Sequence, residues 1–255
     1  MKSLEVALRA LRDSGRKALV PYFMGGVTPD WTDHVQAAVH AGADAIEIGI
    51  PFSDPMMDGV VIQEAALRAL RAGTNFDSIC SDLERLSDRV PLIAMTYFNV
   101  FHHYGLDRSA GKLHASGLQG AIVPDIALEE SGPWVAACDA NDVATIFLVA
   151  PSTPPERVAR LAYSTQGFAY ASARMAVTGM SSGAGAGARV VASVRAECDV
   201  PTYIGIGIGT PEQASEAARV SDGVIVGSAL VQVILDGGGA HEVEQFIGSF
   251  RRAIN

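Results

Sequence analysis

The sequence predicts an α/β protein folded as a single (β/α)8 barrel over residues 1–255, with one extra helix at its N-terminus. Three observations support this prediction. Short apolar, β-prone runs recur along the whole chain, segments with helical periodicity separate them, and no linker or shift in composition divides the chain. Barrels of this kind commonly reach this length as one domain.

The predicted strands number eight, at residues 18–24, 45–50, 91–97, 120–125, 144–150, 168–173, 201–208 and 223–229. Strands that alternate with helices pair in parallel, which leaves two arrangements: a closed eightfold barrel or a doubly wound open sheet. No GxGxxG motif follows the first strand, so a dinucleotide-binding open sheet is disfavoured. The barrel is therefore the better prediction.

The predicted helices follow from periodicity and capping. Leu4, Leu8 and Leu11 lie on one face of an N-terminal amphipathic helix that stops near Gly15. Apolar residues at helical spacing also mark residues 31–42 and 155–164. Residues 210–220 begin with Thr210, a good N-cap, followed by a proline at the first helical position.

Composition excludes several classes of function. Net charge is −9 and no dense Lys/Arg cluster occurs, which argues against nucleic acid or an anionic membrane as a partner. Cys80, Cys138 and Cys198 lack metal-ligand spacing and are expected to be small buried residues in a reducing compartment. The N-terminus lacks a signal-peptide core, and no run reaches the roughly 18 apolar residues of a membrane span. We therefore expect a soluble, cytoplasmic protein.

Glu47 interrupts an apolar strand, in the stretch IEIGIPFSDPMMDG at residues 46–59. A buried carboxylate without a partner would cost several kcal/mol or would become neutral through a raised pKa. Two interpretations remain open: a core carboxylate paired with an Arg or Lys, or a site residue. In barrels, functional side chains come from the C-terminal strand ends and the following loops, which favours Glu47 and the loop residue Asp58 as site residues.

Glycines follow the last two predicted strands and suggest a phosphate site. The seventh strand runs into Gly205, Gly207 and Gly209, and the eighth into Gly227 and Ser228, where a short helix is predicted to begin. Backbone N–H groups and a helix N-terminus bind anions there without Lys or Arg, and barrels often hold phosphate at this position. The alternative is that these glycines serve only tight turns. The Gly/Ser/Ala-rich segment 173–189 is predicted to be a loop, either a closing lid or an ordinary flexible connection.

These motifs resemble those of the tryptophan synthase α-subunit family. PFSDP with Asp58-Gly59 downstream, GAIVPD, ARMAVTG, GIGIGTPEQA and VGSALV occur in that family's order and cover nearly the whole chain. The resemblance implies the (β/α)8 TIM-barrel fold. It also implies retro-aldol cleavage of indole-3-glycerol phosphate to indole and glyceraldehyde 3-phosphate, with no cofactor and no metal.

Residue by residue, the resemblance assigns roles to positions that match the family motifs. Glu47 matches the acid/base, Asp58 the partner of the indole N–H, and Tyr170 the active-site tyrosine. The implied substrate-binding residues are an aromatic wall, a lid threonine and four phosphate-binding backbone positions: Tyr22, Thr178, Gly179, Gly207, Gly227 and Ser228.

Several loops depart from the family pattern, among them GGVTPD after the first strand, Met56-Met57, Val60, Ala127, Ala176 and Ile206. In the family, the loops around strands one to three and the lid communicate with a pyridoxal-phosphate β subunit. A β-coupled α subunit is the first interpretation. Two alternatives stay open: a stand-alone lyase that releases free indole, and a catalytically silent barrel that only activates a β subunit. A Schiff-base aldolase is disfavoured, because Lys2, Lys17 and Lys112 all lie outside predicted strand cores.

Overall fold

A computed structural model describes residues 1–86, 90–172, 183–205 and 207–255. Within these residues nine parallel strands form one sheet. Their bounds are β1 (Ala18–Met24), β2 (Ile46–Gly49), β3 (Leu92–Met95), β4 (Leu118–Ile122), β5 (Ala144–Ile146), β6 (Leu148–Val149), β7 (Ala169–Ser172), β8 (Thr202–Gly205) and β9 (Gly223–Val226).

The sheet closes into a barrel. Its strand order is β5-β4-β3-β2-β1-β9-β8-β7-β6, and its two ends, β5 and β6, are consecutive in the chain and separated only by Phe147. The predicted single strand 144–150 is thus divided. The cause is a change of hydrogen-bond partner at Phe147. Its N–H donates to the Thr165 side chain at 3.0 Å instead of to a neighbouring strand, while its carbonyl accepts the Tyr170 N–H at 3.1 Å. The predicted barrel is confirmed, with one strand split in two.

Helices cover the outside of the barrel and, in the case of the first helix, its lower end. Among the described residues they are α1 (Ser3–Asp13), α2 (Trp31–His40), α3 (Val60–Arg71), α4 (Phe76–Leu83), α5 (Phe98–Tyr104), α6 (Leu106–Ala115), α7 (Gly132–Ala140), α8 (Pro155–Ser164), α9 (Gly183–Glu197), α10 (Pro211–Val220), α11 (Ser228–Leu235) and α12 (Ala240–Ile254). No helix in the described ranges is long and apolar enough to cross a membrane. The predicted capping of α10 is confirmed, because Thr210 and Gln213 form a capping box.

The N-terminal helix α1 closes the bottom of the barrel. Leu4 and Leu8 are fully buried and join an inner core of strand residues that includes Ile93 and Tyr203. Leu4 lies so close to Gly120 that a β-carbon at that glycine would approach its Cδ2 atom to 2.7 Å. The bottom of the barrel is therefore filled with side chains, which leaves the C-terminal strand ends as the open face.

The Gly/Ala-rich segment differs from its prediction as a loop. Residues 183–189 belong to helix α9. Alanine has the highest helix propensity, and the apolar face that follows, Val190, Val191 and Val194, is buried against the barrel. Gly187 permits close packing, since a β-carbon there would lie 3.1 Å from the Ile204 side chain. The loop prediction was wrong for this half, and residues 173–182 lie outside the described part of the chain.

Candidate active site

A narrow cleft opens at the C-terminal ends of the first four strands. Its lining is mostly apolar and aromatic, with polar groups from one carboxylate and several hydroxyl-bearing side chains. The lining residues are Tyr22, Met24, Ile50, Phe52, Pro55, Asp58, Ala66, Met95, Thr96, Tyr97 and Pro124. An apolar cleft with a few convergent polar groups is the usual form of a small-molecule site.

Glu47 lies on β2 between Tyr22 of β1 and Ile93 of β3 and is only 1% exposed. Its Oε1 atom has no hydrogen-bond partner, and no Arg or Lys pairs with it, among the described residues. Burial therefore raises the pKa of Glu47 to about 8. The interpretation as a paired core carboxylate fails for this part of the chain, and Glu47 holds a proton at neutral pH.

Asp58 occupies a different environment in the loop between β2 and α3. Burial raises its pKa to about 6, and a hydrogen bond donated by the Tyr97 hydroxyl opposes that rise. Asp58 is therefore largely ionised at neutral pH, whereas Glu47 is protonated. Two carboxyl groups held in opposite protonation states are a common arrangement for acid and base roles.

Tyr22 and Tyr170 lie in the same electrostatic neighbourhood as the two carboxyl groups. The pKa of Tyr22 is raised well above its usual range by burial, then by Asp58 and Glu47. The pKa of Tyr170 is raised likewise by burial, then by Glu47, Tyr22 and Asp58. The fold thus brings together four of the predicted site residues, and both tyrosines stay neutral.

Two glycines make room for these tyrosines. A β-carbon at Gly49 would collide with the Tyr22 hydroxyl, and one at Gly205 would collide with the Tyr170 hydroxyl. Each ring therefore lies directly against the backbone of a strand. Sequence reasoning assigned Gly205 only to the phosphate turn and gave no role to Gly49, because a cross-strand contact of this kind leaves no local pattern.

Sequence reasoning also missed Tyr97. This residue lies two positions beyond the last residue of β3, and its hydroxyl contacts the loop that carries Asp58. The signal was present, since a hydroxyl-bearing side chain at the C-terminal end of a predicted barrel strand faces the open end of the barrel.

Among the predicted phosphate residues, Gly227 lies next to the cleft residue Tyr22. Gly227 is the N-cap of α11 and Ser228 is its first residue, exposed to solvent. Gly207 has a φ of +99°, a conformation that favours glycine. A β-carbon at Gly227 would lie 3.8 Å from that of Tyr22, so the helix N-terminus adjoins the aromatic wall. The remaining predicted residues, Thr178 and Gly179 in the segment 173–182, and Ile206, lie outside the described residues.

Known proteins are similar to this chain in sequence and in fold. The family model for the tryptophan synthase alpha chain matches residues 8–250. The tryptophan synthase alpha chain of Acidothermus cellulolyticus is 42% identical over 93% of this chain and 91% of its own length. That of Microcystis aeruginosa is 37% identical over 100% of both chains.

The chain belongs to the tryptophan synthase alpha chain family.

Solved structures agree with this family. A crystal structure of Mycobacterium tuberculosis tryptophan synthase has a TM-score of 0.91 at 36% identity, covering 99% of this chain and 98% of that one. The alpha subunit from Legionella pneumophila has a TM-score of 0.88 at 30% identity, covering 100% of this chain and 98% of that one. As an alpha chain of this family, the protein is a carbon–carbon lyase that cleaves indole-3-glycerol phosphate.

The three lysines occupy positions remote from the cleft. Lys2 binds backbone carbonyls at the bottom of the barrel, Lys17 donates to the Ser221 carbonyl just before β9, and Lys112 pairs with Asp77 on the outer helices. A lysine Schiff base at the C-terminal face therefore has no source in this chain, which agrees with the acid–base chemistry of the family.

The buried carboxyl of Glu47 makes a prediction for stability. Because the folded state holds its proton up to pH about 8 and the unfolded chain only to about 4.5, wild-type stability declines as pH rises through this window. Glu47→Gln removes that ionisation. The difference in free energy of unfolding, variant minus wild type, should therefore increase by on the order of 3 kcal/mol between pH 4.5 and 7.

Urea unfolding at several pH values measures this difference. The control is Glu64→Gln on α3, where the carboxyl is 52% exposed, and we expect a change within about 0.5 kcal/mol at every pH. A Glu47→Gln difference that stays constant with pH would show that Glu47 is already ionised in the folded protein.

Proposed function

We propose that Glu47 is the acid and base of the cleavage and that Asp58 is the partner of the indole N–H. The observation that carries this proposal is the buried Glu47 carboxyl, whose Oε1 atom has no hydrogen-bond partner among the described residues and which lies in one cluster with Asp58, Tyr22 and Tyr170. A protonated carboxyl in that setting is available for transfer to substrate.

The chemistry follows from these protonation states. Glu47 donates its proton to ring carbon C3 of the indole, and positive charge develops at the ring nitrogen. The ionised Asp58 accepts a hydrogen bond from the ring N–H and stabilises that charge. Glu47, now a carboxylate, takes the proton of the side-chain hydroxyl. The carbon–carbon bond breaks, its electron pair restores the aromatic ring, and the hydroxyl carbon becomes the aldehyde of glyceraldehyde 3-phosphate.

Substrate orientation is assigned to the residues around the carboxyl pair. Tyr22 and Tyr170 supply ring surface beside Glu47, and the backbone N–H groups at Gly207, Gly227 and Ser228 bind the phosphate. The N-terminus of α11 favours a dianion there through its dipole. From the family resemblance, Thr178 is proposed to contact the catalytic carboxylate region when the lid closes, and Gly179 is proposed as a further phosphate-binding backbone position. No step in this scheme uses a cofactor or metal.

Turnover should depend on both carboxyl groups and on pH. The free enzyme needs Asp58 ionised and Glu47 protonated, so kcat/KM should rise with pH through about 6 and fall above about 8. Glu47→Gln should lower kcat by at least about 100-fold, and Asp58→Asn should lower kcat far more than it raises KM.

Steady-state release of indole from indole-3-glycerol phosphate provides the measurement, with Glu64→Gln as the control for a removed carboxylate. Near-wild-type turnover in Glu47→Gln would refute its assignment as the acid and base.

The phosphate site should respond to bulk at the start of α11. Ser228→Leu places a branched side chain over the exposed helix N-terminus, so KM for indole-3-glycerol phosphate should rise about tenfold or more, with weaker inhibition by inorganic phosphate. Ser3→Leu at the exposed start of α1 is a matched control at another helix N-terminus and should leave both constants unchanged. Unchanged phosphate inhibition in Ser228→Leu would contradict the assignment of the phosphate site to the N-terminus of α11.

We further propose that the chain acts as one barrel domain, residues 1–255, in the cytoplasm together with a tryptophan synthase β subunit. Support comes from the similarity to solved tryptophan synthase structures. Exposed apolar residues also lie in the loop that carries Asp58 and at the start of α3: Met56, Met57 and Val60. A stand-alone lyase and a silent activator of a β subunit remain the alternatives, because the site loops depart from the family pattern.

Adding a β subunit to the purified chain separates these cases. For a coupled alpha chain we expect slow indole release alone and a large increase, about tenfold or more, with the β subunit. Fast release that the β subunit does not change would identify a stand-alone lyase, and β activation without any cleavage would identify a silent barrel.

A further inference from the structure

Tyr97 connects the end of β3 to the loop that carries Asp58. Its hydroxyl oxygen accepts a hydrogen bond from the Met57 N–H at 2.8 Å. The same hydroxyl donates its proton to the Asp58 carboxylate. One hydroxyl therefore satisfies a backbone donor next to Asp58 and the Asp58 side chain itself.

The Tyr97 ring is held from several sides. It stacks on Phe52 with a centroid distance of 5.2 Å and an interplanar angle of 25°. The neighbouring residue on each side is fixed as well: the Thr96 hydroxyl donates to the Ile50 carbonyl at 2.9 Å, and the Phe98 N–H donates to Asp125 at 2.8 Å. Tyr97 is therefore anchored to β2, to the β4 end and to the start of α5.

We propose that Tyr97 is a positioning residue, which orients the Asp58 carboxylate through its hydroxyl and keeps that carboxylate ionised at the pH of catalysis. The proposal rests on the role proposed above for Asp58. It adds a residue whose hydroxyl acts on the reaction only through Asp58.

The electrostatic surroundings make this single hydrogen bond important. Asp58 shares its neighbourhood with the carboxyl of Glu47 and the hydroxyls of Tyr22 and Tyr170, and Asp125 lies near Tyr97 on the other side. None of these groups is a cation, and within the described part of the chain the Tyr97 hydroxyl is the group that favours the charged form of Asp58 against its burial. Without it, Asp58 would be driven toward the neutral acid, which cannot act as an ionic partner for the ring N–H.

The test is the pH profile of kcat/KM for indole-3-glycerol phosphate in Tyr97→Phe, which keeps the ring and removes only the hydroxyl. We expect the acidic limb to move upward by about one pH unit, so that activity falls about tenfold at pH 5 to 6 but much less at pH 8. Tyr104→Phe in helix α5 is the matched control, because that hydroxyl bonds Asp77 on the outer helices, and its profile should coincide with wild type.

Asp58→Asn makes the outcomes distinguishable. An acidic limb that shifts in Tyr97→Phe and disappears in Asp58→Asn supports the proposal. A limb that disappears in Asp58→Asn but does not move in Tyr97→Phe overturns the role of Tyr97 alone. If the limb survives in Asp58→Asn, the role proposed for Asp58 fails, and the role of Tyr97 fails with it.

Discussion

The burial of the Glu47 carboxyl is the constraint on which the rest of the site depends. A carboxylate in an apolar interior is costly, so the group stays protonated unless a partner offsets its charge. The barrel preserves this condition by placing Glu47 between two central strands and by filling its lower end with Leu4 and Leu8. The surrounding tyrosines contribute ring surface and neutral hydroxyls, so the nearest described groups leave the proton of Glu47 in place.

Asp58 shows how the same functional group is held in the opposite protonation state in a neighbouring loop. Its loop position leaves it half-buried, and the Tyr97 hydroxyl favours its ionised form. The difference between the two carboxyl groups therefore comes from depth in the barrel and from one hydrogen bond. The proposed phosphate site uses no cationic side chain, because the last strand leads directly into the N-terminus of α11, where backbone N–H groups attract an anion. Net negative charge and an anionic substrate are compatible for this reason.

Sequence reasoning predicted those parts of the structure that are encoded locally. Apolar runs separated by capped helices located the strands, and Leu4 and Leu8 marked the helix that fills the barrel. Glu47 was recognisable because a charged residue in a buried strand violates the pattern. The division at Phe147 was not predictable, since it depends on a hydrogen bond that the Phe147 N–H donates to the distant Thr165. The helical state of residues 183–189 was missed because glycine content outweighed alanine propensity, whereas burial of the valines that follow decides the outcome. Gly49 acquires its role only through a contact between strands, whereas Tyr97 could have been suspected from its place at the C-terminal end of a predicted strand.

The most direct test of this account is the ionisation of Glu47 itself. Carbon-13 NMR of protein labelled at the glutamate carboxyl carbons, with the Glu47 signal assigned by its loss in Glu47→Gln, reports that pKa without substrate or turnover. The account predicts a single carboxyl signal that stays in the protonated position through neutral pH and titrates near pH 8. A Glu47 signal already in the ionised position at pH 6 would contradict it, because Glu47 would then lack the proton that the proposed mechanism transfers to the indole ring.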